Sequence, residues 1–253
     1  MIRTMTNKLK DNGTVLVNEK ICEGAELYNM IIEAPEIAKW AMPGQIVHIL
    51  CGEGTTLRRP ISICETMNDC IRICYEVRGK GTDWMAKRKE GDKISVLGAL
   101  GHGFSHKEGE RAVLVGGGIG IYPLLSIGKK CKGAKALFGF RNASLINSLE
   151  LFENNGIETK VITDDGSNGR KGFVTELRAA MPHTFFLIPG YGAQGGAAND
   201  IVGAFDNNKS GAIVNSSRAL MCAYKKAGDD GRNFKTCTRD AVIAMRDDIN
   251  SVL

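Results

Sequence analysis

The chain has 253 residues, 43% of them hydrophobic, and a formal net charge of +5 from 33 basic and 28 acidic side chains. This length supports one large domain or two smaller ones with real cores, two being expected, and the mild, dispersed charge carries no nucleic-acid footprint. No apolar run is long enough to span a bilayer, and the opening Met1-Ile-Arg-Thr-Met-Thr-Asn-Lys8 lacks a signal peptide's apolar core, so a cytoplasmic protein with no membrane partner is expected. The eight cysteines include no C-x-x-C pair and read as free thiols in a reducing compartment. Even Cys64, Cys70 and Cys74, the nearest to a cluster, are not expected to hold a metal.

Residues 13–103 consist of short alternating runs broken by Gly, Pro and Asn, the pattern of an antiparallel barrel or sandwich. Residues 44–50 read as a strand after Pro43. Ile71, Ile73, Tyr75 and Val77 alternate with Arg72, Cys74, Glu76 and Arg78, giving one buried and one mostly polar face. Two arginines, Arg58 and Arg59, stand at a strand entrance before Pro60, Ile61 and Ser62. An arginine fork matches a pyrophosphate, and a hydroxyl nearby can bond a heteroaromatic edge; the lesser alternative is a solvated basic turn. Gly79, Gly81 and Thr82 then precede a helix expected at 83–89, with Thr82 as its N-cap and the glycine turn as a phosphate cradle or an ordinary capped helix start.

The most informative stretch is 111–125. An apolar strand at 112–115 runs into Gly116, Gly117, Gly118, Ile119 and Gly120, and a helix opens at Pro123. A turn without side chains lets a ligand reach backbone, or merely packs helix on strand. Ile121 stands where a dinucleotide fingerprint has its third glycine. A strand at 134–140, a helix at 144–153 and a strand at 158–163 follow, and this alternation predicts a parallel sheet. Arg141, rather than an acid, closes the second strand, which leaves NAD against NADP open on physical grounds.

Arg59-Pro-Ile-Ser62, Gly79-Lys-Gly-Thr82 and Gly116-Gly-Gly-Ile-Gly120, in that order, resemble the ferredoxin-reductase-like superfamily. Within it they are most similar to the electron-transfer subunits of the NAD-dependent dihydroorotate dehydrogenases of pyrimidine biosynthesis, over residues 1–177. The resemblance implies an antiparallel FAD-binding barrel (1–105) followed by a Rossmann-like parallel NAD-binding α/β domain (106–177). It places Arg59 and Pro60 at the FAD pyrophosphate, Ile61 and Ser62 at the flavin, and backbone of Cys74, Tyr75 and Glu76 along the flavin. Gly81 and Thr82 meet the diphosphate, and Gly117, Gly118, Ile119 and Gly120 face the nicotinamide nucleotide. The implied partner is the catalytic subunit of the dehydrogenase, in a hetero-oligomer.

The family's final segment carries a Cys-Gly-Pro turn and four cysteines for a [2Fe–2S] centre. Here only Cys222 and Cys237 follow residue 177, too few to ligate one. Residues 178–253 instead form a foreign-looking βα tail similar to the end of orotidine 5′-phosphate decarboxylase. In that likeness Gln194 and Arg218 bind a phosphate, whereas the decarboxylase's Asp-x-Lys-x-x-Asp signature is absent, so decarboxylation is not expected. The chain reads as a fusion, with a strand at 185–188, a helix at 197–205, a strand at 212–215 and a helix at 240–252. The tail is expected to extend the parallel sheet, and 225–235 to be a mobile loop. The leading function is an NADH-oxidising flavin electron-transfer module. The alternatives are a phosphate-binding decarboxylase fragment and a non-catalytic docking subunit.

Overall fold

The computed structural model describes residues 9–52, 55, 57–105, 112–172, 186–189, 197–216 and 218–253. Two compact units contain them, Met1–Gly172 and Phe173–Leu253.

The first unit begins with six strands, β1 (Leu9–Cys22), β2 (Leu27–Glu33), β3 (Ile46–Ile49), β4 (Arg59–Met67), β5 (Cys70–Glu76) and β6 (Lys93–Leu100). They close into a barrel in the order β1-β2-β5-β4-β3-β6, every pair antiparallel. Alternation explains the closure: Val15, Met30, Ile32, Val47, Ile49, Ile71, Ile73 and Val96 all point inward and are buried. Helix α1 (Pro35–Trp40), opened by a proline in its first turn, adds Ile37 and Ala38 to that core. Helix α2 (Lys80–Ala86) anchors Met85 in it.

A four-stranded parallel sheet follows: β7 (Val113–Gly117), β8 (Lys135–Phe140), β9 (Glu158–Thr163) and β10 (Arg170–Lys171), in the order β10-β9-β8-β7. Helices α3 (Pro123–Gly128) and α4 (Leu149–Glu153) make the crossovers. Phe138 meets Phe152 edge-on at 4.7 Å. The helix expected over 144–153 is shorter than its apolar pattern suggested. Ser148 adopts a left-handed φ of +55°, and its hydroxyl lies 3.0 Å from that of buried Tyr122, so only a single turn at Ala143–Leu145 precedes α4.

The outer face of β5 is not the polar face that alternation predicted. Cys64 and Cys74 are buried there against Ile121, Tyr122 and Leu125, because barrel and sheet share a second apolar cluster. Beside it, buried Glu65 accepts hydrogen bonds from Arg72 Nε at 2.9 Å and Lys129 Nζ at 2.7 Å, tying β4 to the end of α3.

In the second unit, β11 (Phe186–Pro189) and β12 (Ala212–Asn215) pair in parallel. Among the described residues they form a two-stranded sheet. Its cover is apolar: Ile188 and Val214 pack with Ile201 of α5 (Ala198–Ile201) and Ile249 of α8 (Phe234–Val252). The short helices α6 (Arg218–Met221) and α7 (Ala223–Lys226) come between β12 and α8. The segment expected as a loop, 225–235, holds the end of α7, an exposed turn at 227–233 and the start of α8; in the turn Asp229 accepts from the amides of Gly231 at 2.7 Å and Asn233 at 3.2 Å. Among the described residues no helix is long and apolar enough to cross a membrane.

Candidate cofactor-binding site

The two arginines at the entrance of β4 have different jobs. Arg58 donates to the carbonyls of His48 at 3.1 Å and Ser95 at 3.0 Å and to Ser95 Oγ at 2.9 Å, so it staples β4 to β6. The two-arginine fork therefore reduces to one guanidinium. Among the described residues Arg59 bonds only the Leu57 carbonyl, at 2.7 Å, which leaves its remaining donors without a partner there. Pro60 is exposed, Ile61 packs on the barrel core, and partly buried Ser62 pairs with Ile46 of β3.

Helix α2 starts two residues before Thr82, with Gly79 at the N-cap, which corrects the assignment of Thr82 as cap. The Thr82 hydroxyl instead reaches back, accepting from the amides of Arg78 at 2.8 Å and Gly79 at 3.3 Å. Gly81 is buried under Arg59: a Cβ there would stand 2.5 Å from Arg59 Nε and 3.1 Å from its Cζ. A side chain at 81 would require the Arg59 guanidinium to shift, so the first two marked segments meet at one point.

Beside them, Tyr75 turns its ring into the barrel and stacks on Tyr28 at 5.7 Å. Its hydroxyl donates to Asn18 Oδ1 at 2.8 Å, and burial pushes the phenol well above the usual tyrosine range. Cys74 points the opposite way, against Cys64, and burial raises its thiol as well. Both side chains are committed to packing, and the backbone of Cys74, Tyr75 and Glu76 pairs with β2. Glu76, at the end of the strand, pairs with Arg78 at 2.7 Å. Asn18 carried no signal in the sequence, a lone amide within a strand, yet its Nδ2 donates to the carbonyls of Met85, Ala86 and Arg88 at 2.9, 3.3 and 2.8 Å.

The glycines after β7 divide by role. Gly116 is a packing glycine, since a Cβ would fall 2.9 Å from Leu124 and 3.2 Å from the Gly120 carbonyl. Gly118, at φ +51°, and Gly120 face open space, with nothing within 4 Å of an added Cβ, and both are exposed. Gly117 is also exposed, and Ile119 is 42% exposed on the same turn. Ile121, in the third-glycine position, is fully buried in the cluster that holds Cys64 and Cys74. The open turn is thereby fixed beside the outer face of β4 and β5.

Arg141 follows β8 and is exposed; the adjoining Ala143 amide donates to Ser167 Oγ at 2.7 Å. Ser167 in turn bonds Asp165, holding its carboxyl below the usual range. Gln194 and the side chain of Arg218 lie outside the described residues. Among the described residues no three His, Cys, Asp or Glu side chains are grouped to hold a metal ion.

No family model matches the chain. Among solved structures it resembles an NADH-dependent reduced ferredoxin-NADP oxidoreductase, with TM-score 0.61 and 27% identity over 87% of this chain and 74% of that one. Ferredoxin-NADP+ reductase from Plasmodium falciparum aligns with TM-score 0.58 and 16% identity, over 85% of this chain and 98% of that one. A closed antiparallel barrel followed by a parallel α/β sheet defines the ferredoxin-reductase-like fold.

Two curated sequences narrow the class. The dihydroorotate dehydrogenase B (NAD(+)) electron transfer subunit of Bacillus mycoides is 38% identical over 180 residues, 67% of this chain and 69% of its own length. The subunit of that name from Caldanaerobacter subterraneus subsp. tengcongensis is 33% identical over 251 residues, 95% of this chain and 98% of its own. The chain belongs to the family of dihydroorotate dehydrogenase B electron transfer subunits.

Proposed function

We infer that the chain binds FAD along β4, β5 and α2, takes hydride from NADH presented at the Gly118–Gly120 turn, and passes electrons to the catalytic subunit of a dihydroorotate dehydrogenase. The observation that carries this is the shared cluster of Cys64, Cys74 and Ile121, which fixes the open glycine turn beside the flavin-side strands. The residues present fit the cofactor: a guanidinium with spare donors laid on Gly81, and an exposed glycine turn after β7. FAD, when bound, supplies hydride acceptance and the onward release of electrons.

The chain's own residues do the rest. Arg59 neutralises the diphosphate, with Gly81 and Thr82 beside it. Ser62 offers its hydroxyl to the ring edge, and the backbone of Cys74, Tyr75 and Glu76 lines the ring while their side chains stay in the fold. Gly117, Gly118, Ile119 and Gly120 admit the nucleotide, and the NAD(+) of the relatives' names favours NADH as donor. A [2Fe–2S] centre does not fit this chain's residues, because Cys222 and Cys237 alone follow residue 177, and no step is assigned to one.

Residues 178–253 are the decarboxylase-like tail of a fusion. The strand-helix-strand order of β11, α5 and β12 supports this reading, and the Caldanaerobacter match, which runs over 251 residues, weighs against it. With the decarboxylase signature absent, any retained capacity is phosphate binding at Gln194 and Arg218. Titration with a pyrimidine nucleotide tests it, and an affinity unchanged by Arg218→Ala removes it.

For the main reading, the test is an absorption spectrum of the purified protein before and after NADH. A flavin spectrum that bleaches on NADH is expected. Colourless protein that takes up no added FAD overturns the assignment.

A further inference from the structure

Asn18 sits on β1, is not itself among the residues the sequence marks for cofactor contact, and uses both ends of its amide. Because carbonyls only accept, its orientation is fixed: Nδ2 faces Met85, Ala86 and Arg88, and Oδ1 takes the Tyr75 hydroxyl at 2.8 Å. The three carbonyls belong to the last two residues of α2 and to the turn that follows it, and that of Met85 also accepts from the Arg88 amide at 2.9 Å. A helix of seven residues has little stability of its own, so its place is set by what grips it, here buried Met85 and the Asn18 amide. One turn before Met85 stands Gly81, packed so closely under Arg59 that an added Cβ would lie 2.5 Å from Nε.

We propose that Asn18 is a positioning residue for the flavin diphosphate: by closing the C-terminal end of α2 it seats Gly81 beneath Arg59 and fixes the direction in which the guanidinium is presented. The inference rests on the reading of Arg59 as the pyrophosphate ligand. A shift of α2 by a few tenths of an ångström would move the surface on which Arg59 lies, without touching the ligand itself.

The test is FAD titration of the full chain, followed by flavin fluorescence quenching, in a double-mutant cycle of Asn18→Ala and Arg59→Ala. Asn18→Ala weakens FAD about tenfold, the weight of one or two hydrogen bonds. Arg59→Ala then costs at least threefold less in the Asn18→Ala background than in the wild type, because the guanidinium is already misdirected. Asn18→Asp is near in size and keeps the acceptor for Tyr75, but sets a carboxylate against three carbonyls at a helix C-terminus, and it loses at least as much affinity.

A purely structural Asn18 would lower the melting temperature of the apoprotein and leave the two losses independent. That result overturns the proposal, as does Asn18→Asp binding FAD like the wild type. If Asn18→Ala does not fold, Asn18→Asp and Asn18→Ser carry the cycle. Wild-type protein that takes up no FAD fails the flavin reading itself, whereas wild-type uptake with unchanged variants fails this inference alone.

Discussion

Alanine at Gly120 and alanine at Gly116 should separate nucleotide binding from folding, four residues apart on one turn. At Gly120 an added methyl meets nothing within 4 Å. The backbone there is not left-handed, so alanine removes freedom from the unfolded chain and leaves stability unchanged or raised by up to about 1 kcal/mol. The same methyl stands in the path of the nicotinamide nucleotide, and NADH binding should weaken about tenfold or more. At Gly116 the methyl would fall 2.9 Å from Leu124 and 3.2 Å from two backbone atoms, which cannot give way as a flexible tip can. Overpacking of that kind costs about 1–3 kcal/mol. At about 2–4 °C per kcal/mol for a domain of this size, the melting temperature should fall by about 2–12 °C. Thermal melts of both variants, paired with stopped-flow reduction of the flavin over a range of NADH concentrations, give the comparison. If Gly120→Ala is reduced at wild-type rates at low NADH, the turn does not face the nucleotide and the reasoning fails.

Further outcomes follow from the same geometry. Glu65→Gln should cost about 3 kcal/mol in urea unfolding, because it strands Arg72 and Lys129 around a buried site, whereas Lys129→Met, at a side chain 36% exposed, should cost about 1 kcal/mol or less. Arg58→Ala should lower stability with little direct effect on FAD affinity, and Arg59→Ala should weaken FAD with little change in melting; equal behaviour in both assays would contradict the division of roles. Burial raises the phenols of Tyr75 and Tyr122, so the stability they add is complete below about pH 10 and is lost as pH climbs through the alkaline range. Spectrophotometric titration should therefore find two of the five tyrosines ionising only as the protein unfolds, and free titration of all five in the folded state would refute it.

The barrel and the parallel sheet were legible because their signals are local: two-residue alternation in β2, β5 and β6, and apolar runs into glycine at β7. The roles of individual residues were less so. Arg58 and Arg59 are neighbours of one chemistry, and only the carbonyls of His48 and Ser95, brought close by the barrel, distinguish the staple from the ligand. Cys74 reads as the outward residue of a half-exposed strand, and its burial depends on Ile121 from a distant turn. Ser148 interrupts a helix that its neighbours favour, through a hydroxyl contact with Tyr122 across 26 residues. The tail's strands read correctly as strands, but the apolar cover that α8 supplies is not encoded by alternation alone.

Ile121, by occupying a place that bare backbone fills in other nucleotide turns, welds that turn to the hydrocarbon mass beneath β4 and β5. Donor and acceptor rings held by such a joint would meet at a separation preset by buried volume rather than by a closing lid. Trimming one methyl from that joint is then a way to tune the speed of hydride passage while both coenzyme pockets keep their own contacts.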